Sequence, residues 1–372
     1  MQRFLHQFCI ALAFLIPSSV YAAWELNMPR GVTETSNTVY DLHMLILWIC
    51  VGIGVVVFGV MFWSILYHRK SQGAKAAQFH ESTTIEVIWT VIPFIILIGM
   101  AVPSTTVLID MYDSSESDID IQVTGYQWKW QYKYLNEEID FFSTLTTPKE
   151  EIANKQAKNP NYLLEVDNEL VVPINKKIRF LFTANDVIHA WWVPELAVKK
   201  DAIPGFINES WTRINEVGTY RGQCAELCGK DHGFMPIVVK AVTQENYDIW
   251  VAEQKATALA TAAAATQDWT MEDLVAKGET VYQKNCAGCH MVDGSGLPPA
   301  FPALNGNEVV LGDIEKHIDI MVNGVPGTAM AAYGKQLSAV DLAAVITYKR
   351  NTWDNKTGEV ISPADVTAFM SK

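Results

Sequence analysis

Two long apolar runs near the start of the chain constrain it more than any other feature. Leu42–Tyr67 carries no charged residue over 26 positions, about 39 Å of helix at 1.5 Å per residue. Ile85–Ile109 repeats the pattern, with Glu86 near its beginning and Pro93 and Pro103 inside it. Core helices of soluble domains rarely stay uncharged for so long, so both runs read as membrane spans. The loop between them holds His68, Arg69, Lys70 and Lys75 against Glu81 alone, whereas Asp110, Asp113, Glu116, Asp118 and Asp120 follow the second run. The positive-inside bias therefore places the loop in the cytoplasm and everything after residue 110 on the outer side. Residues 1–22 read as a signal peptide, with Arg3 as its basic start, Phe8–Ile16 as its apolar stretch and Val20-Tyr21-Ala22 before the cleavage point. An uncleaved anchor is the other reading of that segment. A hairpin over residues 23–109, with spans at about 42–67 and 85–109, would thus hold a large outer portion.

The formal net charge of −13 is unevenly placed. Residues 1–109 balance five acids with five bases, whereas 110–253 hold 23 acids against 14 bases and 268–372 hold 13 against 8. Such a surface excludes nucleic-acid binding, which needs basic contacts to phosphate, and suits a cationic partner. Six cysteines, in two close pairs and two singletons, are too few for a disulfide scaffold and point to metal or cofactor chemistry.

From Ile119 to about Trp250 short β-rich runs alternate with turn signals. They include Ile119–Thr124, Leu163–Val166, Leu170–Pro173, Lys177–Thr183, Glu209–Ile214, Gly218–Gln223 and Pro236–Val242. Many short strands in residues 110–253 predict a sandwich or small barrel. Residues 254–267 are dominated by alanine and threonine, a linker either helical or extended. Amphipathic spacing in Met271–Asn285 and Ser338–Arg350 then predicts a separate small α-domain over 268–372.

Within that domain Cys286-Ala287-Gly288-Cys289-His290 is the C-x-x-C-H signal for covalent c-type haem. Two thiols three residues apart can each add to a haem vinyl group, and the adjoining imidazole reaches the iron. A thioredoxin-like redox pair would need a βαβ setting, which this helical segment lacks. Met330, in the Gly-rich loop Gly327–Gly334, is the preferred second axial ligand, because a thioether suits a high-potential haem. Met321 reads as core, Met291 adjoins His290 and cannot reach the opposite face, and His317 reads as a surface histidine.

The other cysteine pair, Cys224-Ala225-Glu226-Leu227-Cys228, continues to His232 and Met235. Two thiolates, an imidazole and a thioether within twelve residues form a soft-ligand loop that selects copper. A single blue-copper ion needs one cysteine. Two suggest a binuclear centre bridged by both sulfurs, in which each copper still needs an imidazole. His232 supplies one, and His189 is the only other histidine of the outer β-rich region. Met235 and the main-chain carbonyl of Glu226 take the remaining weak positions. A Cys224–Cys228 disulfide or a copper-chaperone motif are the competing readings.

Residues 40–252 resemble subunit II of respiratory haem–copper oxidases. The resemblance rests on the copper loop and on Thr84–Thr90, Gly125–Trp130, Leu164–Asn168, Asp201–Gly205 and Phe234–Ile237. Residues 270–352 resemble a class I cytochrome c, and the fusion resembles subunit II of a caa3-type oxidase. The resemblance implies a two-helix anchor, an all-β cupredoxin-like Greek-key barrel carrying the CuA centre, and an all-α cytochrome c domain in a bacterial inner membrane, soluble parts periplasmic. It implies electron input at haem c, transfer through copper to subunit I, and oxygen reduction with proton pumping there. Subunits I and III would be partners, and the donor a soluble or membrane cytochrome c or a quinol-oxidising complex.

The resemblance also assigns residues. Trp128 would lie where electrons pass between haem and copper; read as strand residues, Trp128 and Trp130 share one face. Glu86 would serve proton uptake, although Thr83-x-x-Glu86 is also a capping box. The Glu226 carboxylate would hold magnesium against subunit I. Asp167, Asp186 and Asp201 stand at acidic positions of the family, with a solvated surface as their plainer reading. Nitric- or nitrous-oxide reductases share such a copper site, but not this anchor, and copper handling needs no haem.

Overall fold

The computed structural model describes residues 27–75, 78 and 80–371, so the leader expected over residues 1–22 lies outside the described residues. The chain divides into two compact units, residues up to 244 and residues from 245 onward.

The first unit opens with helices α1 (Glu34–Tyr67) and α2 (Thr83–Tyr112), each long and apolar enough to cross a membrane. Both extend beyond their uncharged cores, and at α1 polar residues cap the added turns. At α1 the Thr33 hydroxyl accepts from the Ser36 N–H at 2.9 Å, and the Ser36 hydroxyl accepts from the Thr33 N–H at 3.0 Å. At α2 the cap is Ser82, whose side chain makes no capping bond. That frame makes Glu86 the fourth helical residue, one beyond the position a capping box uses, so the box expected of Thr83 and Glu86 does not form.

The chain flanking both helices is stitched to the β-domain. The Val32 N–H donates to the Glu195 carbonyl at 3.0 Å, and the Asn215 N–H donates to the Val32 carbonyl at 3.0 Å. At the far end of α2, Trp211 Nε1 donates to the Asp110 carbonyl at 3.1 Å and Ser114 Oγ to Glu209 at 2.6 Å. The β-domain is thus held at one end of the hairpin by backbone and side-chain bonds rather than by a free tether.

That domain has ten strands in two five-stranded sheets. One has the order β3-β2-β1-β5-β8 and the other β4-β10-β9-β6-β7. The first comprises β1 (Ile119–Tyr126), β2 (Lys129–Tyr134), β3 (Ile139–Ser143), β5 (Ile178–Ala184) and β8 (Asn208–Thr212). The second comprises β4 (Leu170–Pro173), β6 (His189–Val193), β7 (Val198–Ala202), β9 (Gly218–Cys224) and β10 (Ile237–Val242). Pairs β1/β5 and β4/β10 are parallel and the other paired strands antiparallel. Strict alternation of buried and half-exposed residues along β5 places Phe180 and Phe182 inside. Their rings meet Trp191 of the other sheet at 5.1 and 5.7 Å, and the Tyr134 hydroxyl crosses to the Val171 carbonyl at 2.6 Å. This is the expected cupredoxin-like β-domain behind a two-helix anchor. The run Leu163–Val166, expected as a strand, is a turn with one bridge from Val166 to Leu145. Leu163 has φ 61°, and the Leu164 N–H turns back to the Asn161 carbonyl at 2.8 Å, so no extended run survives.

Helix α3 (Gln244–Ala264) runs through most of the alanine-rich stretch, as the high helix propensity of alanine favours. Then come α4 (Met271–Asn285), α5 (Ile314–Asn323), α6 (Ala339–Asn351) and α7 (Pro363–Met370), so the second unit is helical. Thr270, Ser338 and Ser362 cap α4, α6 and α7 through their hydroxyls. The buried core is the crossing of α4 and α6, where Gly278 is required because a Cβ there would collide with the Ala344 carbonyl. Tyr282 packs on Tyr348 and Trp353 at 5.5 and 5.2 Å beside the crossing. His317, expected on the surface, is buried on the inner face of α5 with Ile318 and Met321. Burial, with Lys349 and Arg350 nearby, holds its imidazole well below the usual range.

Candidate metal centres

Three elements supply the donors of the first site. His189 opens β6, Cys224 closes β9, and the loop from Ala225 to the short 3-10 turn His232–Phe234 carries Cys228 and leads to Met235. Strand β6 pairs with β9 so that Trp191 lies opposite Cys224, which brings the distant histidine to the cysteine loop. Ligand atoms of His189, Cys224 and Cys228 lie within 4.8 Å of one another, all three buried. The two sulfurs are 3.9 Å apart. Cys224 Sγ is 4.0 Å from His189 Nδ1 and 3.4 Å from the Glu226 carbonyl oxygen. Cys228 Sγ is 3.4 Å from His232 Nδ1 and 3.5 Å from Met235 Sδ. Each sulfur thus has its own imidazole, with one thioether and one carbonyl completing the set. The Glu226 side chain is exposed.

The electrostatics of the pair are asymmetric. Burial raises both thiols, but contacts with His189 and with the backbone of Ala190 and Glu226 pull Cys224 below its usual value. Burial, and then Cys224 itself, push Cys228 up to about 12. Protons compete with a soft cation for both sulfurs, so binding of the cation is coupled to proton release. Two soft sulfurs, two imidazoles and two weak donors fit two coppers.

Around these donors lies a second layer that spacing alone could not find. Asp186 accepts from His189 Nε2 at 2.9 Å, leaving Nδ1 toward Cys224, and accepts the Gln127 N–H at 2.8 Å. It lies three residues before His189, so its signal was proximity alone, and it serves the site rather than solvent. Gln127 Nε2 and Trp128 Nε1 both donate to the Cys228 carbonyl, at 2.8 and 3.2 Å. Trp130 Nε1 donates to the Met235 carbonyl at 3.1 Å. The two tryptophans do not share a strand face. Trp128 is half-buried in the two-residue turn between β1 and β2, whereas Trp130 is fully buried in β2. Glu86 lies at the start of α2 and takes no part in this cluster.

The second site is built from a helix end. Cys286 follows α4, and Ala287–His290 form one further helical turn. Cys286 is buried, Cys289 half-buried, and His290 Nδ1 donates to the Pro302 carbonyl at 2.9 Å. Nε2 is thereby left for a metal, the usual division of labour in a ligating histidine. The Tyr282 hydroxyl donates to the Met291 carbonyl at 2.7 Å and holds the chain just after the motif. Met330 packs against the core cluster that contains Cys286, Ala287 and Met321. Two thiols and an oriented imidazole beside an apolar core fit a covalently attached haem.

Comparison with known proteins agrees with this division. Residues 21–107 match the family model for the cytochrome c oxidase subunit II transmembrane domain. Residues 119–242 match its periplasmic domain, and residues 273–348 match the model for subunit III of cbb3-type cytochrome c oxidase. A probable cytochrome c oxidase subunit 2 of Rickettsia felis is 39% identical over 253 residues, covering 67% of this chain and 79% of that one. The subunit 2 of Cyanidium caldarium is 38% identical over 233 residues, covering 61% and 90%. The crystal structure of the periplasmic domain of subunit II from Bradyrhizobium japonicum is 43% identical and covers 39% of this chain and 98% of that one, with a TM-score of 0.35. Anchor, β-domain and copper-loop sequence together make this chain a member of the cytochrome c oxidase subunit II family, joined to a cytochrome c domain.

Proposed function

We propose that the chain is the electron-input subunit of a proton-pumping terminal oxidase of the caa3 type, taking electrons at haem c and passing them through CuA to subunit I, where O2 is reduced to water. The observation that carries this is the pairing of each sulfur with its own imidazole, Cys224 with His189 and Cys228 with His232, in a chain that also holds C-x-x-C-H.

In this reading His189, Cys224, Glu226 through its carbonyl, Cys228, His232 and Met235 hold two coppers, which supply a one-electron relay without bond-making. Cys286 and Cys289 would attach the haem, and His290 and Met330 would ligate its iron. The rigid β-framework keeps the copper donors in place between oxidation states, which lowers the reorganisation each electron costs. Trp128, hydrogen-bonded to the Cys228 carbonyl, lies where electrons reach the copper loop. Glu86, lacking a capping role, delivers protons toward subunit I from the cytoplasmic side. The exposed Glu226 carboxylate holds magnesium against subunit I, and subunit III completes the complex in the bacterial inner membrane. The upstream donor is a cytochrome c or a quinol-oxidising complex with a basic docking face, since both outer blocks are acidic.

The test is metal and haem analysis of the full chain purified in detergent, with copper EPR. Two coppers per covalent haem and one unpaired electron shared over both coppers, lost in Cys224→Ser, is the expected result. One copper or none beside an intact haem would remove the oxidase reading and favour copper handling.

A further inference from the structure

Lys349 is the unexpected residue of the helical unit. It lies in α6 between Tyr348 and Arg350, in a stretch where every residue from Leu342 to Arg350 is buried, and is itself 3% exposed. Its ammonium has one close polar neighbour, the thioether of Met321 at 3.0 Å, a weak acceptor that cannot compensate a buried charge. Among the described residues no carboxylate pairs with it, whereas its neighbour Arg350 is satisfied by the Val310 and Gly312 carbonyls and by Glu359. His317, also buried, presents an Nδ1 without a partner and adds no negative charge.

The placement of this cation matters. Met321 belongs to the same apolar cluster as Cys286 and Ala287, against which Met330 packs. The ammonium is near enough to disfavour a proton on His290. Burial lowers the Lys349 amine to about 8. A leucine or methionine would fill the same space without the cost of burying a charge.

We propose that Lys349 is a positioning charge for electron transfer, a fixed cation in the wall of the haem crevice that favours the reduced haem. The inference rests on the haem assignment made above. Adding one electron to a bound haem lowers its charge by one unit, and a nearby cation in a poorly screened interior stabilises that product relative to the oxidised form. The chain thereby makes its own haem a better acceptor from the upstream donor.

The experiment is a redox titration of the covalent haem in the full, detergent-purified chain, comparing the native protein with Lys349→Met and Lys349→Arg. At a fixed ambient potential, Lys349→Met should lower the ratio of reduced to oxidised haem by about threefold or more, and Lys349→Arg, which keeps the charge, should restore most of it. An unchanged ratio in Lys349→Met with a native haem spectrum overturns the proposal, as does an equal fall in Lys349→Arg, which would mark a packing effect. If Lys349→Met does not fold, the Arg variant against Lys349→Gln decides in the same way. Absence of covalent haem from the native chain would instead overturn the haem assignment.

Discussion

The copper loop and the haem motif use the same residue types in opposite ways. The proposed haem donors Cys286, Cys289 and His290 fall within five consecutive residues at a helix end, so local chain geometry alone brings them together. The proposed copper donors run from His189 to Met235 and meet because β6 pairs with β9 and the loop after β9 folds back. A contiguous motif survives wherever a helix turn can form. A dispersed one exists only while the sandwich is intact, so its ligand geometry is inherited from the stability of the β-domain.

That contrast can be broken most directly by removing one sulfur. Cys224→Ser should abolish the binuclear centre and electron input while leaving covalent haem at native stoichiometry, by metal analysis and absorbance. Loss of haem as well would show that the two sites are not independent. Next in size, Gly278→Val forces a side chain into the Ala344 carbonyl at the α4–α6 crossing. It should destabilise the helical unit by about 2–4 kcal/mol in thermal unfolding, with copper EPR unchanged. Asp186→Asn keeps every copper donor but removes the carboxylate that orients His189. Copper affinity by competition with a chelator should fall about 10–100-fold, and no change would mean that strand pairing alone sets the imidazole.

Smaller effects sharpen the comparison at the edges of the β-domain. Trp128→Phe deletes one of two donors to the Cys228 carbonyl and should cost about 1 kcal/mol of stability. Stopped-flow reduction of copper should slow while the copper spectrum is retained. Asp120, bonded to the Arg179 guanidinium, has its carboxyl held below the usual range against the opposing effect of burial. Its folded value is the lower one, so its stabilisation is present above about pH 4 and is lost as pH falls through the folded value. Asp120→Asn should flatten the acid limb of an unfolding curve by under about 1 kcal/mol.

Much of this was legible before any coordinates, for identifiable reasons. Membrane spans announce themselves because hydrocarbon tolerates no charge for some twenty residues. The haem motif reads directly because its geometry is local. Strand Leu170–Pro173 and helix Met271–Asn285 were expected at the bounds the structure shows, since turn signals or periodicity frame each. Strands β3 and β7 were not among the runs named from the sequence. Their hydrophobic patterns are short, and their extended state depends on partners elsewhere in the chain. Leu163–Val166 shows the reverse error, a strand-like composition overruled by a left-handed residue and a turn.

From sequence alone came two helices long and apolar enough to span a membrane, a β-rich domain followed by a helical one, and the residue types gathered at the two candidate metal centres. Those properties depend on composition and on spacing over a few residues. Tertiary structure decided which carboxylate orients His189, that Trp128 sits in a turn bonded to the Cys228 carbonyl, that Glu86 caps nothing, and that His317 and Lys349 are buried. Each of these is a contact between segments or a matter of helical frame. A linear pattern names the residue types such contacts use, but only packing settles which residues meet and how much water is left between them.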